Sequence, residues 1–279
     1  MRYDANYYSH HCGGIPYDRT HPHWLHFFGN IADEIIRAFK PKRVLDVGCA
    51  KGFLVECLRD RGVEAYGFDI SEYAIGEVRP DIRAYCWVAS VTDSIEGYYD
   101  LVTNIEVLEH VTENEALRAI ENMTGHASQI LFSSTPCDFS EPTHQNVRPI
   151  LWWLQRFAEH SFAPDLTFQA DFVASWCFVT RQTKEQIPDD DLDLFARYLD
   201  LKLKIQKVET ESAEASAKYQ PAQVESERQR QQLAKELDII KGSRSWKLVR
   251  RYWEWKARWL PEKSLPLRIY KRTKDAKKV

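Results

Sequence analysis

Short apolar runs alternate with helix-patterned segments through the first two thirds of the chain. RVLDV at 43–47, VEAYGFDI at 63–70, DLVTNI at 100–105 and QILFSS at 129–134 are near-continuous apolar stretches bounded by glycine or polar residues. NIADEIIRAF at 30–39 puts Ile31, Ile35 and Phe39 on one helical face, and FLVECLRDRG at 53–62 reads as a second helix with Gly62 beyond its end. Strands this apolar need cover on both faces, and the helices between them supply it. The pattern predicts an α/β fold with a doubly wound, mostly parallel sheet. LTFQADF at 166–172 and WCFVTR at 176–181 sit close together with no helix between them, which predicts an antiparallel hairpin at the sheet edge.

A chain of 279 residues that is 44% hydrophobic can bury a core, so wholesale disorder is excluded. No run reaches the roughly 18 apolar residues of a membrane span. The first residues lack the apolar stretch of a secretory signal. The six cysteines are scattered, with no CxxC pair. Together these predict a reducing, cytoplasmic setting without disulfides. The net charge of −3 hides an asymmetry. Residues 241–279 hold 14 Lys and Arg against 3 Asp and Glu, and residues 1–240 hold 24 against 38. An acidic body argues against a nucleic-acid partner, and a basic tail points to an anionic surface or an acidic protein.

Four segments follow. Residues 1–40 form an N-terminal cap or lid and the first helix, 41–183 the α/β domain, 184–240 a charged helical or coiled-coil linker, and 241–279 a basic, Trp-rich amphipathic tail. In the linker, Leu194, Tyr198, Leu201 and Ile205 share a stripe that Pro221 interrupts. In the tail, Trp246, Leu248, Val249, Tyr252, Trp253, Trp255, Trp259 and Leu260 crowd one face, with basic residues opposite. That is the composition of an interfacial helix. It predicts peripheral attachment at the inner face of the cytoplasmic membrane, or docking on a partner, a second copy or its own domain.

VLDVGCAKG at 44–52 places Gly48 and Gly52 at a strand-to-helix turn, where ligands of such sheets bind. Asp69 ends the next strand, where a carboxylate can accept hydrogen bonds from ribose hydroxyls. The run lacks the GxGxxG of a dinucleotide site. DVGCAKG, GFDIS and YDLVTNIEVLEHV together resemble the class I S-adenosylmethionine-dependent methyltransferases, over roughly residues 40–182. The resemblance implies a Rossmann-like fold with S-adenosylmethionine as cofactor. Asp46, Gly48, Cys49, Ala50 and Gly52 would form its loop, and Asp69 and Ile70 would meet the ribose. Ser90 and Val91 would flank the adenine, and Asn104 would lie near the methionine part. Ala50 replaces the middle glycine of the family's motif, and Lys51 replaces a small hydroxyl residue.

Glu106, Glu109 and His110, spaced by three and four, are predicted to share one face of the helix after DLVTNI. His144 follows QILFSS at the same end of the sheet. Two carboxylates and two imidazoles suit a divalent cation, Mn²⁺ or Mg²⁺, with Fe²⁺ or Zn²⁺ as alternatives. ExxEH with a later histidine resembles the metal site of the small-RNA 3′-end 2′-O-methyltransferases, and ExxEH also occurs in ubiquinone-pathway O-methyltransferases. Metal-free methyltransferases carry LEHV here too, and His144 or His110 would then be the general base. GSRSWKLVRR at 242–251 resembles a segment found after coiled coils in bacterial surface-glycan enzymes. The expected function is therefore O-methylation of a sugar hydroxyl on a bacterial surface glycan such as an O-antigen, possessing vicinal hydroxyls, with a glycan or lipid-linked glycan as acceptor. A catechol or quinol acceptor, and a non-catalytic scaffold with a structural cofactor, are the rivals.

Other residues have expected places. His21, His23 and His26 read as an aromatic lid over the cleft rather than a second metal site. Tyr17 and Arg19 are placed either at the cofactor carboxylate or on the surface. Trp152, Trp153, Phe157 and Phe162 read as core of the helix after His144.

Overall fold

The computed structural model describes residues 3–12, 14–185, 187–216 and 222–259. In chain order these form α1 (Ala5–His10), α2 (Pro22–Phe39), β1 (Arg43–Val47), α3 (Phe53–Asp60), β2 (Glu64–Asp69), α4 (Glu72–Gly76) and β3 (Cys86–Val88). Next come β4 (Leu101–Ile105), α5 (Glu113–His126), β5 (Gln129–Ser133), α6 (Ile150–Glu159), β6 (Phe162–Pro164) and β7 (Phe178–Gln182). The C-terminal extension is α7 (Asp189–Ser216), α8 (Ala222–Gly242) and α9 (Arg244–Trp259).

The strands form one sheet in the order β3-β2-β1-β4-β5-β7-β6. Strands β1 to β5 pair in parallel, β7 runs antiparallel to β5, and β6 antiparallel to β7. This is the Rossmann-like, mostly parallel sheet with an antiparallel edge that the sequence predicts. The first strand of the edge hairpin is displaced, however. It is Phe162–Pro164, and LTFQADF is irregular. Asp165 draws Thr167 into a tight turn through its backbone amide and hydroxyl, and Phe168 then packs on Phe39 of α2. Those contacts take the segment out of the sheet.

Alternate strand residues feed two cores, as a pleated sheet requires. Leu45, Val47, Ile130 and Phe132 pack with Trp153, Leu154 and Phe157 of α6. Val44, Leu101 and Leu131 face the other way, onto Ile31 and Ile35 of α2 and Leu54 and Leu58 of α3. Trp153, Phe157 and Phe162 are core as expected, although Phe162 belongs to β6. Trp152 is half-buried between the guanidinium groups of Arg148 and Arg156.

The segment predicted as a linker is helical but not free of the domain. Leu192, Phe195, Ala196 and Leu199, at helical spacing along α7, join the α6 core. α8 folds back on α7, and Trp246 of α9 is 5% exposed, its ring 5.0 Å from that of Tyr198. Tyr252 hydrogen-bonds Glu185. One part of the Trp-rich face is thus seated on the protein itself. Leu248 and Trp255 remain exposed, and the expectations for residues 260–279, Leu260 among them, lie outside the described residues. No helix among the described residues is long and apolar enough to cross a membrane.

Candidate active site

Strand order reverses between β1 and β4, and the crevice at such a switch point is where open α/β sheets bind ligands. Two turns meet there. After β1, Gly48 adopts φ +82°, and its amide and that of Cys49 bond to the carbonyl of Phe68 at the end of β2. Ala50 takes φ +47°, a left-handed conformation normally left to glycine, and its amide donates to Asp69 Oδ2 at 2.9 Å. Asp69 Oδ1 accepts from the Ser71 amide at 2.8 Å. Asp69 therefore ties the loop of β1 to the end of β2. Burial raises its carboxyl above the usual range, with the Ser71 and Ala50 amides acting against the shift.

Asp46 is buried beneath this loop and accepts from Thr103 Oγ1 at 2.6 Å. Burial dominates its environment and pushes the carboxyl up to about 7 despite the Thr103 bond. Asn104 is fully buried too; its Nδ2 donates to the Val47 carbonyl at 3.0 Å. Ser90 and Val91 follow β3, half-buried, with exposed Ile70 and Val88 at the ends of the neighbouring strands.

The second turn corrects the helical reading of ExxEH. β4 ends at Ile105, Glu106 swings into φ +53°, and Leu108–His110 form a short 3₁₀ turn before α5 begins at Glu113. The three side chains do not share a helix face. The turn instead brings Glu109 and His110 to His144, with one ligand atom from each lying within 4.8 Å of the others. Glu106 stands outside that group, its Oε1 accepting from the Trp176 indole at 2.9 Å.

Hydrogen bonds decide what this cluster can hold. The loop carrying His144 is stitched to the turn through the Gln145 and Asn146 amides, both bonded to the Glu109 carbonyl. The Thr143 hydroxyl donates to Glu141 Oε1 at 2.9 Å, and so accepts from His110 Nδ1 at 2.9 Å. His144 Nδ1 sits 2.8 Å from the carbonyl of Asp138, which can only accept. Each neutral imidazole therefore keeps its proton on Nδ1 and its lone pair on Nε2. Glu109 is fully buried, and among the described residues neither of its carboxylate oxygens has a hydrogen-bond donor in bonding geometry. Burial, reinforced by the Glu106 charge, pushes that carboxyl well above the usual carboxylate range. Once Glu109 gives up its proton, the cluster presents a carboxylate and two imidazole nitrogens, a donor set that suits a divalent cation.

The N-terminal segment covers both turns. Ser71 Oγ donates to the Tyr3 carbonyl at 2.5 Å, the rings of Tyr3 and Tyr7 stand edge-on to His110, and His11 Nδ1 lies 3.1 Å from Glu141 Oε2. Residues 3–11 make these contacts, and the aromatic lining comes from Tyr3 and from Tyr7 of α1. His23 and His26 are exposed on α2, where His23 stacks on Phe27 and His26 meets Asn30, while His21 caps that helix. Tyr17 is core, stacked on Phe53, and Arg19 pairs with Glu56. Sequence reasoning also misses Trp176 and the buried hydroxyls of Ser133 and Ser175, which have no hydrogen-bond partner among the described residues.

Residues 23–172 match the methyltransferase domain family. The chain belongs to that family. Its methyltransferase domain is 37% identical over 93 residues to the ubiquinone biosynthesis O-methyltransferase of Nitrosomonas europaea, covering 30% of this chain and 39% of that protein. It is 30% identical over 128 residues to the protein of the same description from Idiomarina loihiensis, covering 43% and 51%. The methyltransferase chain thus spans about half or less of the length of these relatives. Among solved structures it resembles magnesium protoporphyrin IX methyltransferase from Synechocystis PCC 6803 with bound S-adenosylhomocysteine, at 17% identity and a TM-score of 0.48, covering 57% of this chain and 83% of that one.

Proposed function

We propose that the chain is an S-adenosylmethionine-dependent O-methyltransferase in which Glu109, His110 and His144 hold a divalent cation, Mn²⁺ or Mg²⁺. The observation that carries the cation is the fully buried Glu109 carboxylate, without a donor among the described residues, beside two imidazoles whose Nδ1 atoms face Thr143 and the Asp138 carbonyl. Glu106 is the fourth ligand of the sequence reading and would complete the set; in this structure its carboxylate accepts from the Trp176 indole.

S-adenosylmethionine supplies a methyl group on a sulfonium, and a divalent cation lowers the pKa of a bound hydroxyl. The chain's own residues bind and orient. Asp69 meets the ribose, with the exposed Ile70 beside it. Ser90 and Val91 flank the adenine. Asp46, Gly48, Cys49, Ala50 and Gly52 shape the loop, and Asn104 fixes β4 to β1 beneath the methionine part. The cap of Tyr3, Tyr7 and Tyr8 excludes water from the acceptor. In a metal-free reaction Nε2 of His144 or His110 takes the acceptor proton.

We place the acceptor hydroxyl on a sugar of a bacterial glycan, as the GSRSWKLVRR segment suggests, with a neighbouring hydroxyl as second oxygen. A catechol or quinol is the second reading, favoured by the relatives described as ubiquinone biosynthesis O-methyltransferases. Full-length protein with labelled S-adenosylmethionine, Mn²⁺ and either a glycan or a catechol panel tests both. Transfer to the catechol alone moves the acceptor to the second reading, and full transfer in excess EDTA rejects the cation.

The exposed Leu248 and Trp255 of α9, with exposed Lys247, Arg250 and Arg251 nearby, support peripheral attachment to an anionic membrane or a glycan-assembly protein. Co-sedimentation with anionic liposomes, reversed by salt, is the check. Self-association is the competing use of the same surface, read by light scattering.

A further inference from the structure

We propose that Lys51 is the counter-ion for the carboxylate on the cofactor's amino-acid arm. The inference rests on the S-adenosylmethionine reading above and names a residue that reading does not use. Lys51 stands directly before Gly52, the N-cap residue of α3, and is 5% exposed. Lysines this buried are almost always paired. Among the described residues, Lys51 forms no ion pair and donates no hydrogen bond from its ammonium, and the Asp18 carboxylate lies near enough to feel its charge without pairing with it. Its Nζ lies 5.6 Å and 5.2 Å from the ring centroids of Tyr8 and Tyr73. Aromatic faces steady a cation and supply no counter-charge.

The backbone points the same way. In the loop, the amides of Gly48 and Cys49 go to the Phe68 carbonyl, that of Ala50 to Asp69, and that of Gly52 to the Cys49 carbonyl. The Lys51 amide has no partner among the described residues. One residue therefore offers a charged donor and a backbone donor at the start of a helix, where the macrodipole also favours an anion. The cofactor carries one anionic group, its carboxylate. Its adenosine end is assigned to Asp69 on the adjacent strand, so the arm extends across the loop that bears Lys51. Arg19, the other cation considered for this group, is already paired with Glu56. Lys51 also stands where the family's motif has a small hydroxyl residue, which supplies no positive charge.

Calorimetric titration of the full chain with S-adenosylhomocysteine and with 5′-methylthioadenosine, which lacks the amino-acid arm, tests the assignment. Lys51→Met should weaken S-adenosylhomocysteine by about ten- to a hundredfold, the range for losing a hydrogen bond between charged groups, and leave methylthioadenosine unchanged. Lys51→Arg should restore most of the loss. An equal loss for both ligands, or no loss for either, overturns the proposal. If Lys51→Met does not fold, the unaltered protein decides: decarboxylated S-adenosylhomocysteine binding as tightly as the parent overturns it, and a tenfold or weaker analogue supports it. Unaltered protein that binds neither nucleoside overturns the cofactor reading itself, a separate failure.

Discussion

Gly48 lies against Val107 so closely that a Cβ on the glycine would sit 2.4 Å from Val107 Cγ2. The contact locks the turn after β1 to the turn after β4, so the loop assigned to the cofactor and the cluster assigned to the cation cannot move independently. Gly48→Ala would add a left-handed strain at φ +82° to that clash, for a cost of roughly 2–4 kcal/mol. Val107→Ala in the same chain should recover the steric part alone. Denaturant melts of the single and double variants measure both, and equal stabilities for the two would disprove the interlock.

Glu109→Gln separates structure from metal. The buried carboxylate has no donor in bonding geometry among the described residues, so the amide should raise the melting temperature of metal-free protein, by the equivalent of about 1–3 kcal/mol. Mn²⁺ should raise the melting temperature of the unaltered protein and leave the variant's where it is. A variant still stabilised by Mn²⁺ would show that the cation sits elsewhere.

Asp46 makes stability depend on pH. Its folded carboxyl is pushed up to about 7 from 3.8, so the folded state binds the proton more tightly than the unfolded state does. The associated stability is full below about pH 4, falls as pH rises through 7, and is flat above. Asp46→Asn can still accept from Thr103 and has no proton to lose. Its advantage over the unaltered protein should therefore grow between pH 4 and pH 7, to a few kcal/mol at most, and then level off. A difference that is constant across that window contradicts the buried-carboxyl account.

Ala50→Gly should stabilise the loop. The left-handed φ of +47° costs an L-residue roughly 1–2 kcal/mol, partly offset because glycine gains freedom in the unfolded chain. A melting temperature that rises by a few degrees agrees. One that falls would show the Cβ of Ala50 to be a packing contact.

Trp246→Ala should loosen the C-terminal extension. A buried Trp of this kind contributes about 3–5 kcal/mol against truncation to Ala. Limited proteolysis should release α9 first. Truncation before α7 should go further and destabilise the α/β domain, because Leu192, Phe195 and Leu199 complete the α6 core. Melting temperatures of the two proteins give the order.

Strands β1, β4 and β5 are legible as apolar runs because both of their faces are buried, and β2 because one face is buried and Phe68 anchors the other. β3 is not, because CWV is three residues long and two of them, Trp87 and Val88, are exposed. The carboxyl ends of β1, β2 and β4 are correctly marked by Gly48, Asp69 and Glu106. What Glu106 does next is hidden. A left-handed glutamate has no signature in residue type, so the three-and-four spacing reads as a helix that starts seven residues later, at Glu113. The histidines of 21–26 mislead because aromatic density says nothing about which way a helix turns. Tyr3, Tyr7 and Tyr8 carry the lid, yet their partners lie far along the chain, beyond any local pattern. Lys51 does leave a trace, since it breaks a motif where small residues are usual.

The cap also sets an order of events in synthesis. Tyr3 meets Ser71 and His110, 68 and 107 residues later, and His11 meets Glu141, 130 residues later. A ribosome delivers residues 3–11 well before any of these anchors. At about 5–20 residues per second, the last anchor follows by roughly 7–26 s. Until that anchor emerges, residues 3–11 have nothing to close on, so the crevice receives its cover last.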